Sequence, residues 1–316
     1  MPRQKVTIFG GSGFLGRHLV TRLARTGWSI LLAERHPSRA HFLQPLGDVG
    51  QIAAVAARVQ DEARVAEVVA GADAVVNLTG ILYESGNQRF DGVHTTGAAN
   101  IARAAAGAQV KRLVQVSAIG ADPDSEADYA RSKGKGEEAV RQAFPDATIL
   151  RPSIVIGPED GFFNRFADMT RISPFLPLVG GGKTRFQPVY VGDVAQAIQM
   201  GLEQNGLVGQ TYELGGPGVY SFKALLQMLL KEIGRRRLLL PLPFAIASLQ
   251  ATFLELLPVP PLTRDQVRML RSDNIVSEGA KGFAELGITP KSVETIIPTY
   301  LERHRAGGRF SAKTSR

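Results

Sequence analysis

Short apolar runs and helical stripes alternate along the first half of the chain. Lys5–Phe9 is an apolar run closed by glycines, which reads as a buried strand. Gly16–Thr26 follows, with Leu19 and Leu23 on one face and Gly27 as a stop, the pattern of a helix. Trp28–Ala33, Ile52–Ala57, Ala74–Leu78, Arg112–Ser117 and Thr148–Arg151 read as further strands. Arg64–Ala70, the alanine-rich Thr96–Ala106 and Tyr129–Phe144 read as the helices between them. Each strand is apolar throughout, which predicts a parallel sheet covered on both faces. Right-handed crossovers then give an α/β, doubly wound Rossmann arrangement.

The pattern changes after Pro152. Pro and Gly become frequent between Pro158 and Pro188, Phe186–Val191 reads as one more strand, and Val194–Glu203 reads as a helix returning to the first lobe. From Gly206 onward short helices with Pro breaks are expected. The predicted organisation is a dinucleotide-binding domain at 1–160, completed by 184–204, and a smaller, mostly helical substrate lobe at 161–183 and 205–305. Residues 306–316, rich in Gly, Ser and basic residues, are expected to be a frayed tail. Leu238–Phe244, Ala245–Leu257 and Pro258–Pro261 form a stretch apolar on most faces but too short to span a bilayer. It is read as a helix buried over the substrate site, with docking onto a membrane or a hydrophobic partner as the alternative. Arg235–Arg237 precede it, and Arg264, Arg268 and Arg271 follow at one-face helical spacing. Such flanks predict weak association with anionic membrane surfaces, diluted by Asp265 and Asp273.

Composition narrows the function classes. A chain of 316 residues can bury one large core or two lobes. It has no cysteine, which excludes disulfides, thiolate metal sites and cysteine nucleophiles; no metal site is expected. The formal net charge of +8 favours anionic partners, yet the basic residues are scattered, so nucleic acid is not expected as one. The N-terminus runs straight into an apolar strand, so no removable presequence is expected. A bacterial cytoplasmic protein is expected, with peripheral attachment to the cytoplasmic face of the inner membrane as a variant.

The chemistry begins at Gly10-Gly11-Ser12-Gly13-Phe14-Leu15-Gly16, between the first strand and the first helix. Gly10 allows the tight turn, Gly13 lets the backbone approach a pyrophosphate, and Gly16 lets helix and strand pack closely. The helix N-terminus adds free N–H groups and partial positive charge. A bare glycine pattern is weak, but its place at the start of a βαβ unit is the confirming context. At the end of the second strand an acidic residue would hold ribose hydroxyls, whereas Arg would accommodate a 2′-phosphate. The chain supplies Glu34, then Arg35 and Arg39. The two arginines favour NADP(H). Glu34 would repel the phosphate if it pointed inward, which keeps NAD(H) as the alternative.

Ser117 ends the fifth predicted strand, and Tyr129-Ala-Arg-Ser-Lys133 opens the next helix. Tyr129 and Lys133, four residues apart, lie on one helix face and can enter one cleft at the carboxyl ends of the strands. A free phenol titrates near ~10, and an adjacent ammonium is expected to lower that value toward the working range. Tyr129 would then exchange a proton with a substrate alcohol or carbonyl, Ser117 would hydrogen-bond the same oxygen, and Lys133 would also hold the nicotinamide ribose.

With these motifs the chain resembles the extended or atypical short-chain dehydrogenases/reductases, the NAD-dependent epimerase/dehydratase family, over nearly its whole length. Supporting segments are Val75–Gly80, Leu150–Gly157 and Pro188–Val194. Ala143–Ala147, Arg151–Ser153, Gly157–Asp160, Phe163-Asn164 and Gln187–Val191 are similar to the NADPH-binding accessory subunits of respiratory complex I and their bacterial relatives. The resemblance implies that Ser12, Phe14, Leu15, Val59, Leu78, Thr79, Gly80, Pro152 and Ile154 contribute to the cofactor site beside the glycines. It implies a partner in complex I or other quinone-reducing machinery. It does not imply turnover, since the mitochondrial member is regarded mainly as structural. Some positions depart from the family. His94 stands where many extended members carry an Asn that organises a proton-relay water, and reads either as a polar substitute or as a surface or interface residue. Arg58-Val59 stands where many carry an acidic residue that meets adenine, with Asp61 close by. Gly134 and Gly136, each costing a helix ~1 kcal/mol, signal either close packing or a helix whose rigidity matters less. Three functions follow: an NADP(H)-dependent oxidoreductase, which is favoured; a non-catalytic cofactor-binding accessory subunit of complex I; and a nucleotide-sugar epimerase or dehydratase whose diphosphate would meet Lys183, Arg185 and the Arg235 run.

Overall fold

The computed structural model describes residues 3–305; the tail expected at 306–316 lies outside the described residues. Its elements run β1 (Lys5–Phe9), α1 (Phe14–Arg25), β2 (Ser29–Glu34), β3 (Ile52–Ala56), α2 (Glu62–Val69), β4 (Ala74–Asn77), α3 (Gly97–Gly107), β5 (Arg112–Val116), α4 (Asp128–Ala143) and β6 (Thr148–Pro152). They continue with β7 (Val155–Ile156), α5 (Phe163–Ile172), β8 (Phe175–Val179), β9 (Arg185–Phe186), β10 (Val189–Tyr190), α6 (Val191–Glu203) and β11 (Thr211–Leu214). The remainder is β12 (Tyr220–Ser221), α7 (Phe222–Glu232), β13 (Leu238–Leu242), α8 (Phe244–Leu254), α9 (Arg264–Met269), α10 (Val293–Ile296) and α11 (Pro298–Leu301).

The chain divides into two compact units. The first holds residues 3–152, Gly192–Leu214 and Gly279–Ile288. Its seven-stranded sheet has the order β11-β6-β5-β4-β1-β2-β3. Every neighbouring pair is parallel. This is the doubly wound Rossmann sheet, and its strand order reverses between β1 and β4, where the crevice for a dinucleotide opens. Phe9, Val65, Val69, Val75, Ile101 and Leu113 lie in one core cluster, so apolar strands and helix stripes meet as the pattern required. A π-helical segment, Asp91–Thr96, precedes α3, so the helix expected from Thr96 begins one turn of irregular winding earlier.

The second unit holds Ser153–Val191, Gly215–Glu278 and residues 289–305. Sequence pattern placed all of 205–305 in the second lobe; β11 and residues 279–288 pack with the first unit instead. Phe163, Leu176, Phe186, Phe222, Leu225, Leu229 and Ile296 form the second unit's core. The strand expected at Phe186–Val191 is two: β9 pairs with β12 and β10 with β7. Pro188, which has no N–H for a ladder, separates them. β8 and β13 form a parallel pair. The expectation of a buried helix at Ala245–Leu257 is overturned. Of α8 only Ala247 and Ala251 are buried, while Ile246, Leu249 and Phe253 face outward. The two small residues let α8 sit flat against Val179 and Val267, and the bulky ones are left on the far side.

Candidate functional site

The glycine loop leaves β1 at Gly10, whose φ of +77° is one that side chains rarely adopt. The backbone there runs against the end of β4: a Cβ on Gly10 would lie 3.3 Å from the Leu78 carbonyl. Gly16 is required by contact, since a Cβ would come within 2.3 Å of the Gly11 carbonyl oxygen. Gly13 is exposed and caps α1 without a side-chain hydrogen bond, and no acidic residue stands in the first turn. The helix N-terminus is therefore open to an anion. Phe14 and Leu15 are half-buried, and Phe14 packs edge-on against His18.

Glu34 is buried, and its carboxylate accepts the Ser12 N–H at 2.6 Å. It points inward, onto the glycine loop. Arg35 and Arg39 are exposed, and neither side chain has an ion-pair partner among the described residues. Val59 is buried, its carbonyl takes the Asn100 amide at 2.9 Å, and it packs so closely on α3 that a Cβ on Gly97 would lie 2.5 Å from its methyl.

At the ends of β4 and β5 a buried polar chain crosses the sheet. The Thr79 N–H and hydroxyl both donate to Asn77 Oδ1, at 3.0 and 2.6 Å. Asn77 Nδ2 donates to Gln115 Oε1 at 2.8 Å, and Gln115 Nε2 donates to the Val116 carbonyl at 3.2 Å. Lys133 Nζ, from α4, donates to that same carbonyl at 3.3 Å. Ser117 follows directly, and its hydroxyl is buried with no hydrogen-bond partner. A buried hydroxyl without a partner is costly to the fold and fits a ligand that supplies one. Gly80 completes the group; a Cβ there would lie 3.5 Å from Lys133 Nζ and 3.7 Å from His94 Nε2.

His94 is buried in this cluster, which excludes its reading as a surface residue. Nε2 accepts the Ile81 N–H at 3.0 Å, and Nδ1 lies 2.9 Å from the Ser132 hydroxyl. That hydroxyl donates to the Tyr129 carbonyl at 2.8 Å, so Nδ1 must carry the proton and the ring is neutral. Burial, and then the Lys133 charge, push its pKa down to about 2. Tyr129 packs edge-on against both His94 and Phe90, with ring centroids 5.4 and 6.0 Å away. Burial pushes its phenol up to about 12. The lowering expected from Lys133 is therefore not what this arrangement produces; desolvation wins. Burial also brings Lys133 down to about 8, against an opposing pull from Glu137.

Gly134 and Gly136 are explained by contact. A Cβ on Gly136 would lie 2.1 Å from the His94 carbonyl oxygen, and one on Gly134 would lie 2.3 Å from the Pro123 nitrogen. Both let α4 press Tyr129 and Lys133 into place. One turn further along the same face, Glu137 pairs with Arg151 at 2.7 Å and anchors the helix; Arg151 also reaches Glu213 of β11 at 3.4 Å. The Pro152 carbonyl accepts the Ile119 N–H at 3.0 Å in the first unit, whereas Ile154 belongs to the second. Of the basic residues considered for a sugar diphosphate, Arg185 is paired with Asp273 at 2.8 Å and Arg235 donates to the carbonyls of Thr170 and His304. Asn77, Gln115 and Ser132 join the candidate site through these hydrogen bonds and were missed by sequence reasoning. Their signal was a polar side chain inside an apolar strand or on the inner face of a helix.

Residues 10–165 match the NAD(P)H-binding family. Over 314 residues the chain is 38% identical to the mitochondrial NADH dehydrogenase (ubiquinone) 1 alpha subcomplex subunit 9 of Arabidopsis thaliana, covering 96% of this chain and 78% of that one. The chain belongs to the family of this subunit. The ceramide reductase of Caulobacter vibrioides is 32% identical over 196 residues, 62% of this chain and 60% of that one. Among solved structures, the dTDP-glucose 4,6-dehydratase of Streptomyces venezuelae, which holds NAD, superposes with a TM-score of 0.72 at 20% identity, covering 94% of this chain and 96% of that one. The last likeness shows the short-chain dehydrogenase/reductase fold alone. The relatives and the sheet together make this an NAD(P)-binding protein of that fold, related to the complex I accessory subunit.

Proposed function

We propose that the protein binds NADP(H) and reduces a substrate carbonyl, with Tyr129 giving the proton. The observation that carries this reading is the buried, unpartnered Ser117 hydroxyl beside the Lys133 contact at the end of β5. The residues present fit a dinucleotide: an open α1 N-terminus for the pyrophosphate and a loop pressed against β4. The cofactor, when bound, supplies the hydride. Ser117 holds the carbonyl oxygen. Tyr129, a neutral phenol at every physiological pH, is a donor and suits the reductive direction. Lys133, at about 8, stays largely charged near neutrality and can hold the nicotinamide ribose. The ceramide reductase relative supports that direction. The exposed Arg35 and Arg39 support a 2′-phosphate, while the inward Glu34 speaks for NAD(H).

A second reading is a non-catalytic, cofactor-binding subunit partnered by respiratory complex I. It is favoured by the Arabidopsis relative, a subunit of NADH dehydrogenase. Single-turnover oxidation of bound NADPH by ketone substrates separates the two. Tyr129→Phe abolishes it and leaves the NADPH Kd unchanged if the protein is a reductase. Wild-type protein that binds NADPH but oxidises none of it across a panel of carbonyls, lipid ketones included, overturns the enzymatic reading.

A further inference from the structure

We propose that β13 and α8 form a surface that docks onto a bilayer of anionic phospholipid. From Leu238 to Leu254 the chain has no charged residue, and up to Thr263 only Glu255 is charged. A helix apolar on all sides is normally buried. Here it is inverted. Ala247 and Ala251 turn inward, while Leu249 and Phe253 are 62% and 66% exposed. Leu256, Leu257 and Val259 carry the exposed apolar surface past the end of the helix. On the strand that leads into α8, Leu238 and Leu240 are also exposed, and Leu238 lies opposite the exposed Phe175 of β8. So many bulky apolar side chains left exposed along one short stretch of chain mark an interaction site.

Charge chooses the occupant. Arg236, directly before β13, is exposed and its guanidinium has no partner among the described residues. Arg271, after α9, is exposed and stands over the Phe244 ring at 5.6 Å, with no carboxylate bound among the described residues. Arg264 and Arg268 add positive charge, though Glu255 and Asp265 sit close to them. A protein interface of this extent needs about one hydrogen bond per ~100–200 Å². The α8 face offers few: Gln250 is the exposed amide beside Leu249 and Phe253, and the Thr252 hydroxyl is turned back onto the Ser248 carbonyl. Bulky apolar side chains between arginines suit acyl chains and phosphodiesters. No described helix is long and apolar enough to cross a membrane, so the contact is with one leaflet.

The proposal is independent of the hydride-transfer reading. Its test is co-sedimentation of the full chain with vesicles of phosphatidylglycerol and phosphatidylcholine, against phosphatidylcholine alone, at low and high salt. Binding to the anionic vesicles that weakens with salt is expected. The double variant Leu249→Glu, Phe253→Glu is expected to lower the bound fraction about tenfold, and Arg236→Glu with Arg271→Glu to lower it on anionic vesicles. An unchanged NADPH Kd shows that these variants are folded. In Phe253→Trp, addition of anionic vesicles shifts the emission to the blue; the only native tryptophan, Trp28, is buried. The proposal is overturned if the protein stays in the supernatant at low salt, if both charged variants bind like wild type, or if Phe253→Trp shifts only on self-association or on adding a protein partner.

Discussion

The carboxylate of Glu34 accepts the Ser12 N–H at 2.6 Å, while Arg35, the next residue, faces solvent. The two side chains would make opposing demands on the adenine ribose of a dinucleotide bound as proposed. Removing the positive charge in Arg35→Ala with Arg39→Ala should weaken NADPH binding about tenfold or more, because charge-assisted hydrogen bonds are lost, and should leave NADH binding nearly unchanged. Glu34→Gln should move the ratio of NADH to NADPH Kd values the other way, in favour of NADPH. Titration of both nucleotides by fluorescence checks the pair. Equal losses for the two nucleotides in the arginine variant would rule out a 2′-phosphate contact there.

His94 makes stability depend on acid. Its pKa is about 2 in the fold and near 6.5 in an unfolded chain, so below pH 6.5 the unfolded state binds more protons. Stability is therefore full above pH 6.5 and is lost as pH falls, by about 2 kcal/mol at pH 5 from this residue alone. His94→Asn should flatten the slope of unfolding free energy between pH 7 and 5, as read by urea titration. An unaltered slope in the variant would mean that other groups cause it.

Lys133 acts with the same sign on the alkaline side. Its pKa falls from 10.5 to about 8, so between these values the unfolded chain holds the proton longer and stability rises with pH. Lys133→Met should remove that rise. The same urea titration, run from pH 7.5 to 10, is the measurement.

Gly136→Ala should destabilise the fold by ~1–3 kcal/mol, since its Cβ would meet the His94 carbonyl oxygen at 2.1 Å and α4 would have to shift. Cofactor binding should weaken with it, because Lys133 rides on the same helix. A variant with native stability would show that the helix has room to move.

Arg151→Ala leaves Glu137, whose side chain is 5% exposed, without its cation. A loss of ~2–4 kcal/mol is expected, discounted for the partial exposure of the arginine. Arg151→Met with Glu137→Leu should recover only part of it, because the buried Glu213 still lacks the arginine, and urea midpoints of the three proteins distinguish pairing from packing.

Some of this was legible in the chain. β1, α1 and the glycine loop follow from local spacing, because an apolar run, a helical stripe and three glycines need no distant partner to be read. That Ser117 closes a strand while Tyr129 and Lys133 share one helix face was readable for the same reason. β11 was not: it has four residues, and its buried Glu213 disguises it as a polar segment until Arg151 is seen beside it. The inward turn of Glu34 depends on an N–H twenty-two positions earlier in the sequence, at Ser12. His94 joins Ile81 and Ser132, which only the fold brings together. The exposure of α8 runs against composition, since an apolar helix ordinarily signals burial.

The last strand of the main sheet has a consequence for how the chain is made. β11 closes the edge beside β6, and the Glu213 N–H in turn donates to the carbonyl of Lys281 at 2.8 Å. A ribosome releases residues 3–152 well before either segment. During that interval β6 offers an open row of amides and carbonyls to any neighbouring nascent chain. A fragment ending near residue 160, though it carries every motif of the nucleotide site, should therefore precipitate when expressed alone, and chaperone demand should peak while the ribosome is between residues 152 and 214.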